Sequence, residues 1–250
     1  MDTGMKTARD IRDHFLSDAI SFRRVVRDVA LLNDLAETEE EAVFFECAYR
    51  CGLCDGLSAR HGVRADHAAN AYYFSCTTLQ QLLTQLFCSL DTTGRAWLMR
   101  LGTADAPLGI DLGDAKTFWY SACVGAMGVA RMALALQAGG LTVVLPHIDD
   151  DMLHNTDLIA EGDTLCLCVQ VKARHTSSEI HFEVLTRQPV SLGKEQRMFW
   201  IGANKVAARY GGDWSYLFAK IGLTANGRGP AIPLWERDDP RILNTLMKRS

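Results

Sequence analysis

TDLIAEGDTLCLCVQVK, Thr156–Lys172, is the stretch on which the fold of the second half of the chain turns. Two short apolar runs, TDLIA and TLCLCVQVK, flank Gly162-Asp163, and a Gly-first pair suits a two-residue type II′ hairpin turn. The stretch is therefore expected to form a hairpin with Glu161 opposite Thr164 and Asp157 opposite Cys168. Strand side chains alternate, so Cys166, Cys168, Gln170 and Lys172 point one way, and Asp157 joins them at roughly 7–8 Å from Gln170 on the diagonal. A one-residue slip would throw Asp157 onto the other face.

A carboxylate, an amide and an ammonium on an otherwise apolar strand cost several kcal/mol to bury unless they are paired or bind something. Asp157 offers a carboxylate to a hard divalent cation, and Gln170 offers a neutral carbonyl oxygen, both acceptable to Mg²⁺ or Mn²⁺. The Lys172 ammonium can position or help deprotonate a water and oppose charge building on a phosphoryl group. The competing reading of the same residues is a buried Lys172–Asp157 ion pair that holds the hairpin.

With the approach GGLTVVLPHIDDDMLHNTDLIA and the spacing from Asp157 to Gln170-Val171-Lys172, the chain resembles the PD-(D/E)xK, or restriction-endonuclease-like, nuclease superfamily in its Gln-x-Lys variant, over roughly residues 114–223. The resemblance implies an α/β fold, a restriction-endonuclease-like mixed sheet flanked by helices and preceded by an N-terminal helical domain. It implies Asp157 and Gln170 as ligands of Mg²⁺ or Mn²⁺, Lys172 completing the catalytic trio, and hydrolysis of phosphodiester bonds in nucleic acid, DNA rather than RNA. Members often carry a glutamate on the helix before the first strand, commonly after a glycine. Here GAMGVARMALALQAGG has Val129 after Gly128 and no acid. The departure makes a non-catalytic nucleic-acid-binding or scaffold subunit with a degenerate nuclease fold the alternative. His147, Asp149, Asp150, Asp151 and His154 are expected in a loop before Asp157, where Asp149 or Asp150 could stand in for the absent acid.

At 250 residues, 48% apolar and 22% charged, the chain has the composition of a globular protein with a sizeable core. The most hydrophobic region, Thr117 to Ile148, is split by Arg131. An arginine at a bilayer centre costs about 2.5–3.5 kcal/mol, so a buried helix and strand are expected rather than a membrane span. The N-terminus is charged and polar without an apolar signal core, and a cytoplasmic location is expected. The eight cysteines are too sparse for a disulfide scaffold. Cys47, Cys51 and Cys54 have the spacing of a cluster-binding motif, but on a helix they share one face with Val43, as a core stripe would.

Residues 1 to about 90 are expected to form helices, with DIRDHFLSDAISFRRVVRDVALLNDLA first. The loop GTADAPLGIDLGDA, 102–115, places the boundary between a helical accessory domain at 1–110, able to bind a protein partner, and a nuclease-like domain at 111–250. From residue 116 the pattern is helix, strands near 141–145, 156–160, 164–172 and 180–185, then a helix near 193–210; PRILNTLMKRS closes as a short helix. Charge is uneven: 1–115 holds 11 Lys+Arg against 17 Asp+Glu, whereas 165–250 holds 13 against 7. The basic part contains the proposed site, as a nucleic-acid partner requires. Lys194, Arg197, Lys205 and Arg209 fall within an arc of about 120° on the late helix, a face suited to phosphates. Arg174 and His175, directly after the trio, join them as candidate nucleic-acid contacts. Phe199, Trp200, Tyr210 and Trp214 are expected mostly in the core.

Overall fold

A computed structural model describes residues 27–30, 33–34, 36–61, 66–100, 115–163, 165–175, 179–185, 193–211 and 213–223. The chain divides into two compact units, Met1–Leu83 with Ala96–Cys123, and Thr84–Arg95 with Val124–Ser250. The expected boundary loop lies almost wholly outside the described residues, as do most of the expected first helix and the expected terminal one.

In the first unit the described elements are helices: α1 (Glu39–His61), the greater part of α2 (Asp66–Ser89), most of α3 (Thr92–Arg100) and the start of α4 (Lys116–Ala138). Cys47, Cys51 and Cys54 are fully buried along one stripe of α1, and Tyr49 and Leu53 are buried on its opposite side. Spacing of three and four residues forces that stripe onto one side of a helix. Arg50 is buried in the same helix and reaches Glu46 at 2.7 Å, one turn back. Trp119 on α4 fills the core and donates its indole N–H to the Leu98 carbonyl at 3.1 Å.

The second unit is built on a five-stranded mixed sheet in the order β1-β2-β3-β5-β4, with β1 Thr142–Val144, β2 Leu158–Glu161, β3 Cys166–Arg174, β4 Ile180–Leu185 and β5 Trp214–Gly222. Among the described strands only β3 and β5 pair in parallel. They are joined through β4 and α6 (Lys194–Tyr210), because a parallel pair needs a long crossover where an antiparallel pair needs only a turn.

Helices cover both faces. On one face α4 comes so close that a Cβ on Gly128 would lie 2.6 Å from the Ala173 Cβ of β3, so only glycine fits there. Val169, Val171, Leu217, Ala219 and Ile221 are buried on that side. Arg131, the charge that interrupts the hydrophobic run, is buried in α4 and donates from Nη1 to the Gly222 carbonyl at 2.8 Å. Thr117–Ala138 is long and apolar enough to cross a membrane by length and composition, yet 72% of its most apolar window is buried within the protein. On the other face α6 places Phe199, Ala203 and Val206 against Ile159, Cys168, Leu185 and Phe218.

Two elements differ from expectation. The acidic stretch expected to be a loop forms a short helix, α5 (Ile148–His154). His147 caps it by accepting the Asp149 N–H at 3.3 Å, three aspartates sit in its first turn, and Asn155 ends it in the left-handed conformation. Acids at a helix N-terminus and asparagine just past the C-terminus are both favourable, which a reading of DDD as a solvated loop overlooks. Strand β5 was not anticipated at all. It lies inside the sheet, so apolar residues appear on both its faces and no clean alternation marks it.

Candidate functional site

The hairpin forms, with its turn one residue later than expected. Glu161 pairs with Cys166, Ile159 with Cys168 and Leu158 with Val169, and the Gly162 N–H donates to the Leu165 carbonyl at 2.8 Å. Moving the turn by one residue shifts the register by two, so the face of each side chain is kept. Ile159, not Asp157, therefore lies opposite Cys168.

Asp157 sits just before β2. Its N–H donates to the Val169 carbonyl at 2.8 Å, while Leu158 is already the partner of Val169. The β2–β3 ladder thus ends at the Leu158–Val169 pair, and Asp157 lies just outside its regular pleat. The Asp157 carboxylate then meets the edge of β3. Its Oδ2 accepts the backbone N–H of Val171 at 2.6 Å and the side-chain amide of Gln170 at 3.0 Å. Both residues are buried, Asp157 at 5% and Gln170 at 5% exposure. Burial pushes the Asp157 carboxyl above its ordinary range, against the opposing pull of the Val171 N–H, the Lys172 charge and the Gln170 amide.

Gln170 and Lys172 share the α6 side of β3, and the parallel register with β5 extends that side sideways. Gln170 is level with Phe218, and Phe218 with Glu183 of β4; Lys172 is level with Lys220, and Lys220 with His181. Successive rows across the sheet thus run from the apolar Ile159, Cys168, Tyr216 and Leu185, through Gln170, Phe218 and Glu183, to Lys172, Lys220 and His181. Ala203 of α6 lies over the first row, where its carbonyl is 3.9 Å from the Cys168 sulfur. Phe199 lies over the second, 6.2 Å from Phe218 between ring centres, and Gln196 hydrogen-bonds Glu183. The N-terminus of α6 therefore points toward the basic row. Lys220 and His181 were not anticipated as site residues. Their signal was a lysine interrupting the apolar run of β5, the same irregularity that drew attention to Lys172, but its relevance depends on pairing between strands that are distant in sequence.

The remaining expected residues scatter. Arg174 and His175 are exposed where β3 ends. Lys194, Arg197 and Lys205 are exposed on α6, away from its buried Phe199, Ala203 and Val206. Arg209 is engaged otherwise: it pairs with Asp150, which is buried at the base of α5. That pair also commits Asp150, one of the two acids expected to stand in for a helical glutamate. Asp149 is exposed beside His147. No ion pair within 4.0 Å joins Lys172 to Asp157 among the described residues. Phe199 is fully buried and Trp200 half-buried, as core aromatics are; Tyr210 is exposed.

Asp157 and Gln170 suit a divalent cation in one respect. Adjacent oxygens of an octahedral shell of about 2.1 Å radius stand about 3.0 Å apart, the separation found between Asp157 Oδ2 and the Gln170 amide group. Rotating that amide by half a turn presents its oxygen in place of its nitrogen. Among the described residues no group of three or more His, Cys, Asp or Glu side chains gathers to hold a metal ion, so the protein supplies few charged ligands there. Comparison with family models, curated proteins and solved structures finds no match to the chain.

Proposed function

We propose that the second unit is a nuclease of the PD-(D/E)xK, restriction-endonuclease-like kind that hydrolyses phosphodiester bonds in nucleic acid, DNA in preference to RNA. The observation that carries this reading is the contact of Asp157 with Gln170 beside a face that ends in Lys172, Lys220 and His181. Asp157 and Gln170 would hold one Mg²⁺ or Mn²⁺, which when bound polarises a phosphoryl oxygen and acidifies water. Lys172 orients the attacking water and opposes the negative charge that gathers on the phosphate as the new P–O bond forms and the ester bond breaks. Lys220, level with Lys172, draws the phosphate to the same place. Arg174, His175, Lys194, Arg197 and Lys205 are the proposed contacts to the rest of the backbone, and the first unit is the proposed contact for a protein partner.

A second reading rests on a specific observation. Oδ2 of Asp157 already accepts two N–H donors and Val129 stands where an acid is common, so a fold that binds nucleic acid without cutting it would look the same. Gel-shift and cleavage assays on one plasmid and one single-stranded substrate, with Mg²⁺ and then Mn²⁺, separate the two. Cutting of either substrate is expected; binding without cutting under every condition overturns the enzyme in favour of the binding subunit. Calorimetric titration gives the ligand assignment. Gln170→Glu adds a charge and should tighten Mn²⁺ binding on the order of tenfold, about 1.4 kcal/mol, and unchanged or weaker binding removes Gln170 as a ligand.

A further inference from the structure

The cysteine stripe of α1 is not used by the reaction above, and one member of it meets a second sulfur. The Cys54 sulfur lies 3.3 Å from that of Cys76 on α2. Cys54 is fully buried, whereas Cys76 is only partly covered. The two are thus a pair in which one cysteine is partly exposed and the other, at sulfur contact with it, is fully enclosed. Chemistry divides them in the same sense. The Cys54 thiol and the Tyr72 hydroxyl, both hydrogen-bonding Cys76, hold its pKa below the ordinary value against burial, while burial above all pushes Cys54 well up. A more acidic, partly covered thiol next to a buried, less acidic one is the arrangement that two-step oxidation requires.

We infer that Cys54 and Cys76 form a site of reversible oxidation by hydroperoxides, in which Cys76 is oxidised first and Cys54 resolves it to a disulfide between α1 and α2. The Cys76 thiolate attacks one peroxide oxygen, the O–O bond breaks, and the departing alkoxide or hydroxide takes a proton. Sulfur is oxidised by two electrons to a sulfenic acid and the peroxide is reduced by two. The Cys54 sulfur then attacks that of Cys76, the S–O bond breaks, and hydroxide leaves with the Cys54 proton as water. The sulfurs need approach by only about 1.2 Å to reach disulfide length. Thiols restore the pair by exchange.

The inference is independent of the nuclease reading and is tested on the whole chain without any substrate. Protein is treated with graded hydrogen peroxide, blocked with a maleimide and mapped by mass spectrometry. Cys88 and Cys166 serve as references, because both are partly exposed like Cys76, and burial raises Cys88 to about 11. Cys54 and Cys76 should disappear together into one linked peptide, at least about tenfold faster than Cys88 is consumed, the ratio set by one unit or more of thiol pKa. In Cys54→Ser a sulfenic acid should accumulate at Cys76 and be trapped by dimedone; in Cys76→Ser, Cys54 should stay reduced. Wild type that oxidises at Cys88 or Cys166 first, or without a Cys54–Cys76 link, overturns the proposal, and this arm needs no variant to fold.

Discussion

The two sides of β3 contrast sharply although they alternate along one strand. Toward α4 lie Val169, Val171 and Ala173, packed until there is no room for a methyl group on Gly128. Toward α6 lie Cys168, Gln170 and Lys172, passing from a closed apolar cluster to a half-buried ammonium within five residues. The first side supplies the dispersion and burial that hold the strand in place. The second can then carry groups that lower stability, because their position is already determined from behind. Polar chemistry on a strand is tolerated where the opposite face is filled.

The largest expected effect breaks the polar side. Lys172→Ala should reduce cleavage by at least about two orders of magnitude, roughly 2.7 kcal/mol, the scale of one lost electrostatic or acid–base contribution. Nucleic-acid binding should survive, since other basic groups share the phosphate contacts. A mutant that cuts as fast as wild type would leave Lys172 as a structural residue only.

Next comes the packed side. Gly128→Ala drives a methyl group against Ala173 Cβ at 2.6 Å and toward its Cα at 3.3 Å, so urea denaturation should show a loss of about 1–3 kcal/mol. Ala173→Gly in the same chain should recover most of it. Additive losses would show that α4 and β3 are not in the contact described.

Asp157 meets the polar side and the backbone edge of β3, and its carboxyl sharpens the comparison through pH. Its folded-state pKa is raised above the ordinary 3.8, so the folded chain holds this proton more tightly than the unfolded one. The contribution of Asp157 to stability is then best in acid, falls as pH rises from the ordinary value to the raised one, and is flat above it. Denaturation of wild type and Asp157→Asn across this range should show the wild type losing ground as pH rises. The opposite trend would mean that hydrogen bonds outweigh burial.

The smallest effects belong to the outer face of α6. Lys194→Ala, Arg197→Ala and Lys205→Ala should each lower the salt slope of nucleic-acid binding by about 1 with little change in stability. Arg209→Ala should instead cost about 1 kcal/mol, discounted because the guanidinium is half exposed, by leaving Asp150 buried without its partner. Equal behaviour of all four would erase the distinction drawn between them.

Much of this was legible in local sequence. The helical stripe of Cys47, Cys51 and Cys54, the long helix through Arg131 and the face shared by Cys168, Gln170 and Lys172 follow from periods of 3.6 and 2. A hairpin also leaves face assignment intact when its turn moves by one residue, as it does at Gly162. What escaped was decided at long range. The contact of the Asp157 carboxylate with the Val171 N–H depends on how β2 meets β3, the Arg209–Asp150 pair on how α6 meets α5, and the row of Lys172, Lys220 and His181 on strands that become neighbours only in the finished sheet.

That sheet has an order of assembly built into it. Strand β5 lies between β3 and β4, both of which precede it in the chain. Until Trp214–Gly222 has been synthesised and inserted, β3 and β4 each present an open hydrogen-bonding edge. Unpaired edges invite pairing between chains. A nascent chain lacking residues 214–222 should therefore be at its most aggregation-prone, and closure of this slot, a non-local parallel pairing, is the step expected to limit the rate of folding.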